Sequence, residues 1–118
     1  MAEQPTRLKV KTVDDVSVIE FADRKILDEL CILEIQEELT KLMESQTTGN
    51  LLLSFKNVEH LSSAALGMLI TLKKKVEGKK GKLKLSDINP QIYEVFKITR
   101  LNKVFDIHPS AEKAQASF

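Results

Sequence analysis

Apolar positions change their spacing several times along the chain, and each spacing predicts a different element. In RLKVKT (Arg7 to Thr12) they alternate with polar residues as in a half-buried strand, and DDVSVIEF (Asp14 to Phe21) follows after a short Asp-containing turn; together they predict a hairpin. ADRKILDEL breaks that pattern. From Leu30 onward, Ile32, Ile35, Leu39, Leu42 and Met43 recur at intervals of three and four, one face of a helix running to about Ser45. SQTTGN ends it, with Gly49 available for a left-handed conformation. NLLLSF (Asn50 to Phe55) is a continuous apolar run bounded by turn residues, which predicts a central strand covered on both faces. KNVEHL reads as a loop. Ala65, Leu69, Leu72 and Val76, with Met68 beside them, predict a second helix stopped by Gly78 and Gly81. LKLSD (Leu83 to Asp87) is a further strand, and Asn89-Pro90 opens a helix with Asn as cap, Pro in the first turn and Ile92, Val95 and Phe96 on the apolar side. A short strand near Lys103 to Asp106 and a helical turn or more from Ser110 close the chain.

Strands that alternate with helices require a sheet with parallel pairs, helices packed on it and right-handed crossovers between them, an α/β fold. At 118 residues, 1–118 is expected to form a single domain with one core. Hydrophobic residues at 42% and charged residues at 30% match a folded globular chain rather than a disordered or fibrous one. No apolar run approaches the roughly 20 residues that cross a bilayer, and MAEQPTRLKV lacks the apolar core of a signal peptide, so the expected location is cytoplasmic, without a membrane role. The lone Cys31 lies among helix-patterned residues and reads as a small buried side chain. A net charge of +1 argues against wholesale attraction to nucleic acid. Locally the balance differs: KKKVEGKKGKLK (Lys73 to Lys84) holds seven lysines and one glutamate, whereas Asp28 to Glu44 is dominated by Asp and Glu. Lysines without Arg or interleaved aromatics lack both bidentate base readout and a stacking platform, so no nucleic-acid partner is predicted. The cluster reads as a solvated helix end, with a docking face for an acidic protein as the alternative reading.

Chemistry is sparse. His60 lies two residues before Ser62, too close to be assumed a nucleophile and base pair, and His108 precedes Pro109. Two histidines and one cysteine show no zinc spacing, and Gly78 and Gly81 lack a phosphate-cradling pattern. The prediction is a protein that is not an enzyme and uses no metal or cofactor of its own.

What remains is HLSSAALGML (His60 to Leu69), where two serines stand between an extended segment and a helix. Serine is among the best N-caps, so one of them has a structural task; a second hydroxyl has none that the sequence requires. A phosphate there would carry about −1.5 to −2 charges onto a helix tip that offers free N–H donors and a positive dipole end. The fold would tolerate that charge, and its effect would fall on whatever protein docks against the helix. Ala64, Ala65 and Gly67 keep the surroundings small and open to a kinase.

SSAALG (Ser62 to Gly67), together with ILDEL around Leu27 and Asp28 and the closing NPQIYEVFKITRLNKVFDI, resembles the STAS domain, and within it the anti-sigma factor antagonists, over nearly the whole chain. Aligning Leu66 and Gly67 with the family's Leu-Gly puts Ser63 on the phosphoacceptor serine and Ser62 on the Asp that commonly precedes it; Ala65 stands where the family has Gly. The resemblance implies a mixed sheet of roughly four to five strands with helices mainly on one side. It also implies partner switching: the unphosphorylated protein binds an anti-sigma serine kinase of the GHKL type and frees a sigma factor, phosphorylation ends that complex, and a serine phosphatase resets it. ATP and magnesium belong to the kinase. The expected partner contact comprises Asp23, Asp28, Ser62, Ser63, Ala65 and Met68, with Ser63 as the modified residue and Ser62 as the secondary candidate. The contrasting expectation is a non-switching structural subunit of a stressosome-like or lipid-transport complex that uses the same helix face as permanent glue. A third is a small-ligand or nucleotide binder with the lysines as phosphate contacts.

Overall fold

The computed structural model describes residues 8–13, 15–22, 24–45 and 50–118. The predicted hairpin is present as β1 (Leu8–Val13) and β2 (Val16–Phe21), paired antiparallel from Leu8 opposite Phe21 to Val13 opposite Val16. Arg7, Asp14 and Gly49 lie outside the described residues. The helix opening near Leu30 is α1 (Glu29–Ser45), whose Cys31, Ile32, Ile35, Leu39 and Met43 are buried. The apolar run becomes β4 (Leu51–Ser54), buried throughout and flanked by parallel neighbours β2 and β6 (Leu83–Ser86). Helices α2 (Ser63–Gly78) and α3 (Pro90–Ile98) follow their strands. Adding β7 (Asp106–His108), parallel to β6, completes a five-stranded mixed sheet in the order β1-β2-β4-β6-β7.

The period of two along each strand sorts the sheet into two layers. Ile19, Phe21, Leu51, Leu53, Phe55, Leu83 and Leu85 join α1, α2 and α3 in the main core, where the Phe21 and Phe55 rings lie 5.0 Å apart. On the opposite face Val16, Val18 and Leu52 pack with Ala114 of the short helix α4 (Ala111–Ala116) in a second, smaller cluster. That face also carries Lys84, buried and ion-paired with Asp106, as a charge taken from water must be. The hydrogen bond from Lys84, seconded by one from His108, holds the Asp106 carboxyl below its usual range against the opposing effect of burial.

Four details depart from the sequence reading, the first being Val95, expected on the apolar side of α3 but exposed while Ile92 and Phe96 are buried. The segment ADRKIL and the loop KNVEHL each contribute two residues to a small parallel pair, β3 (Lys25–Ile26) with β5 (His60–Leu61). The last strand starts at Asp106, because Arg100 takes a left-handed conformation, residues 101–103 form a 3₁₀ turn and Phe105 drops into the core against Phe96, 5.9 Å between ring centres. At the C-terminal end of α2 the left-handed residue is Lys80, with φ of 62°, and neither Gly78 nor Gly81. Backbone bonds from Lys80 to Glu77 and from Gly81 to Val76 close that end and fix Lys80 in place.

Candidate functional site

Ser62 and Ser63 stand where β5 becomes α2, and the structure divides their work. Ser62 is the N-cap: its backbone is extended (φ −86°, ψ 167°), its hydroxyl accepts from the Ala65 N–H at 3.2 Å and its carbonyl accepts from the Leu66 N–H at 3.1 Å. The first of these bonds satisfies one of the four orphan donors of a helix start, and the second is the first regular bond of the helix. Ser63 is the first helical residue and is exposed; among the described residues no hydrogen bond engages its hydroxyl. The amides of Ser63 and Ala64 have no intrahelical partner at this end, so the hydroxyl sits over a positively polarised surface.

The strand and loop behind Ser62 are held from three sides. The Ser62 N–H donates to the Ile26 carbonyl at 3.1 Å, extending the β3–β5 pairing into the cap itself. The Asn57 amide donates to the Phe21 carbonyl at 3.3 Å, tying the loop to the end of β2. Asn89 serves two elements at once. Its side-chain oxygen caps α3 by accepting from the Ile92 N–H at 2.8 Å, while its amide donates to the carbonyls of Val58 at 3.1 Å and Glu59 at 3.4 Å. On the next strand end, the Ser54 and Ser86 hydroxyls both donate to Asp87, whose positive φ of 59° suits a short polar side chain.

Of the residues expected at a partner contact, Asp28, Ser62 and Ser63 are brought to the same end of the helical layer. Asp28 is exposed, two residues beyond the Ile26 carbonyl that binds Ser62, and its own carbonyl starts α1 by accepting from Ile32. Asp23 lies outside the described residues. Ala65 and Met68 need correcting as contact residues: Ala65 is 0% and Met68 6% exposed, because both belong to the face of α2 that carries Leu69, Leu72 and Val76 into the core. The outward surface of the first turns is instead Ser63, Ala64 and Gly67. A Cβ built at Gly67 would meet nothing within 4 Å, so packing does not demand glycine there. A glycine inside a helix costs about 1 kcal/mol relative to alanine, and this one has no folding reason on its surface. Helix spacing alone could have separated the two sets, since 65, 68, 69, 72 and 76 form one stripe while 63, 64 and 67 lie off it.

The STAS domain model matches residues 7–114. The chain belongs to the STAS domain family. Within that family it is 21% identical over 80 residues, 68% of each chain, to the anti-sigma F factor antagonist of Paenibacillus polymyxa. Its fold is similar to an anti-sigma-factor antagonist (STAS) domain protein from Planctomyces limnophilus, with TM-score 0.83 and 19% identity over 93% of this chain and 96% of that one. It is similar as well to an anti-sigma factor antagonist from Mycobacterium paratuberculosis, with TM-score 0.80 and 22% identity over 93% and 91% of the two chains. Among the described residues of this STAS chain, no group of three or more His, Cys, Asp or Glu side chains is placed to hold a metal ion, and no helix is long and apolar enough to cross a membrane.

Proposed function

We propose that this STAS chain is an anti-sigma factor antagonist that switches partners through phosphorylation of Ser63. In its unmodified form it binds an anti-sigma serine kinase of the GHKL type through the first turns of α2 and the adjoining Asp28; transfer of the γ-phosphoryl group of the kinase's ATP to the Ser63 Oγ, with loss of the hydroxyl proton and release of ADP, ends that complex, and a serine phosphatase restores it by hydrolysis to inorganic phosphate. The observation that carries the reading is the division of labour between the two serines: the cap is supplied by Ser62, and the exposed hydroxyl of Ser63 is spare. A dianionic group at that position would face free N–H donors and the positive end of the helix, an interaction worth about 0.3–1 kcal/mol at an exposed site, so the domain would hold its fold while the docked surface gains charge and bulk. Modification of Ser62 would cost the cap, which makes Ser63 the favoured acceptor. Ala64 and Gly67 leave the surface around it flat enough for close approach.

Incubation with a candidate anti-sigma kinase and ATP, followed by mass spectrometry, tests this. Phosphate should appear on Ser63 and be absent from the Ser63→Ala protein. A kinase that acts on another substrate under the same conditions but leaves both serines unmodified defeats the switching reading and favours the permanent structural subunit.

A further inference from the structure

Two helices on the same face of the sheet present large apolar side chains to solvent in opposite electrostatic surroundings. On α1, Leu30 is 62% and Leu33 55% exposed, with Leu27 at 49% just before the helix. Leu33 opens an outward groove of about 430 Å³ that runs past Gln36, Glu37, Thr40 and Lys41 to Glu44, so its lining is mostly polar. Residues 33 to 44 of a helix span about 16 Å, three turns. The helix carries five glutamates against one lysine, and Glu37 and Glu44 on the groove are exposed. On α3, Ile98 is 78% exposed, the highest value among the large apolar residues, with Val95 beside it one turn earlier and Val104 exposed after the helix. The charges there are Lys97, Arg100 and Lys103 against Glu94, all exposed.

We infer that these two surfaces are the two halves of one interface, and that a second copy of this chain seats the α3 surface of one molecule on the α1 groove of the next. Each half supplies what the other lacks: the exposed Val95 and Ile98, among an excess of cations, meet the exposed Leu30 and Leu33, among an excess of carboxylates, and helices pack ridge into groove at such contacts. Two copies of the α1 surface facing each other would set glutamate against glutamate. The lysine-rich end of α2 offers cations with no exposed large apolar residue, so it has nothing to cover Leu30 and Leu33. An anionic membrane would be repelled by the glutamates. Because α1 joins β2 to β4, α2 joins β4 to β6 and α3 joins β6 to β7, successive helices step across the sheet and leave α1 and α3 on opposite flanks of the layer. The contact is therefore heterologous, head to tail, and it builds chains of increasing length instead of a closed two-fold dimer. It uses neither Ser63 nor Gly67, although Leu27 and Leu30 flank the Asp28 of the proposed kinase contact.

Sedimentation velocity on three proteins tests it: the wild type, Leu30→Asp with a disabled α1 surface, and Ile98→Asp with a disabled α3 surface. Both positions are exposed, and circular dichroism melting verifies the fold. The wild type should show an average mass that rises with concentration and falls with added salt. Each variant alone should have its dissociation constant raised at least tenfold, whereas an equimolar mixture of the two should recover association and stop at a dimer, since that mixture retains one intact surface of each kind. A wild type that stays monomeric up to several hundred micromolar overturns the proposal. So does association unaffected by either substitution, or a mixture of variants that remains monomeric.

Discussion

The two ends of α2 treat their polar side chains in opposite ways. At the C-terminal end three of the lysines are committed to the fold: Lys73 pairs with Glu77 one turn away, Lys75 donates to the Thr40 hydroxyl of α1 at 3.4 Å, and Lys79 donates to the Met43 carbonyl at 2.7 Å near the end of α1. A cluster that reads as one basic patch in sequence is thus divided, with Lys84 on the far side of the sheet against Asp106. At the N-terminal end one serine is committed and its neighbour is not. Side chains that the fold has already used explain stability. Those it leaves over, placed on a rigid and positively polarised helix tip, are where a regulatory role has room to act.

The contrast breaks most severely if the support behind Ser62 is removed. Asn89→Ala loses a helix cap and two hydrogen bonds to the loop, an expected destabilisation of about 2 kcal/mol. Asn89→Asp keeps the cap acceptor and should recover roughly half of that, readable from urea midpoints at constant slope. The serines provide a sharper test within one turn. Ser62→Ala should cost about 1 kcal/mol of stability as a lost N-cap, whereas Ser63→Ala should stay within roughly 0.5 kcal/mol of the wild type. Equal losses at the two positions would show that both hydroxyls serve the fold. Gly67→Ala should move stability and binding in opposite directions, raising the unfolding free energy by about 0.5–1 kcal/mol while the added methyl weakens partner association. The smallest effect concerns the far face of the sheet. The Asp106 carboxyl titrates below its usual range in the folded state, so its contribution is present above the ordinary carboxylate pKa and disappears as pH falls through the folded value. With the side chain 50% exposed, solvent screening limits this to less than about 1 kcal/mol. Comparing acid dependence of thermal melting in wild type and Asp106→Asn should isolate it, with no corresponding change in partner affinity.

Much of this architecture is written in apolar spacing. The buried stripes of α1 and α2 follow from a period of 3.6 and the covered β4 from its continuous apolar run, whereas the alternation in β1 marks no buried face, since Leu8 alone is buried there. Cys31 lies in the core as a small apolar side chain, as its neighbours predict. The β3–β5 pair was not legible, because two residues per strand carry no period, and its hydrogen bonds join segments more than thirty residues apart in sequence. The capping role of Asn89 was legible from Asn-Pro, but its amide bond to Val58 spans 31 residues and leaves no local trace. The resemblance places Ala65 and Met68 at the contact, even though their spacing with Leu69 and Leu72 puts them on the core stripe; where resemblance and periodicity disagree on this helix, periodicity decides which side chains face out.

The central claim concerns one hydroxyl. It is tested most directly by measuring, on the same preparations, the thermal midpoint of the chain and its affinity for a candidate anti-sigma kinase, for wild type, Ser63→Ala and Ser63→Asp. The expected result is unchanged binding for Ser63→Ala, binding weakened at least about tenfold for Ser63→Asp, or about 1.4 kcal/mol, and thermal midpoints for all three within a few degrees. Equal affinities across the three proteins would contradict the account, as would a loss of binding by Ser63→Asp that comes only with unfolding of the domain.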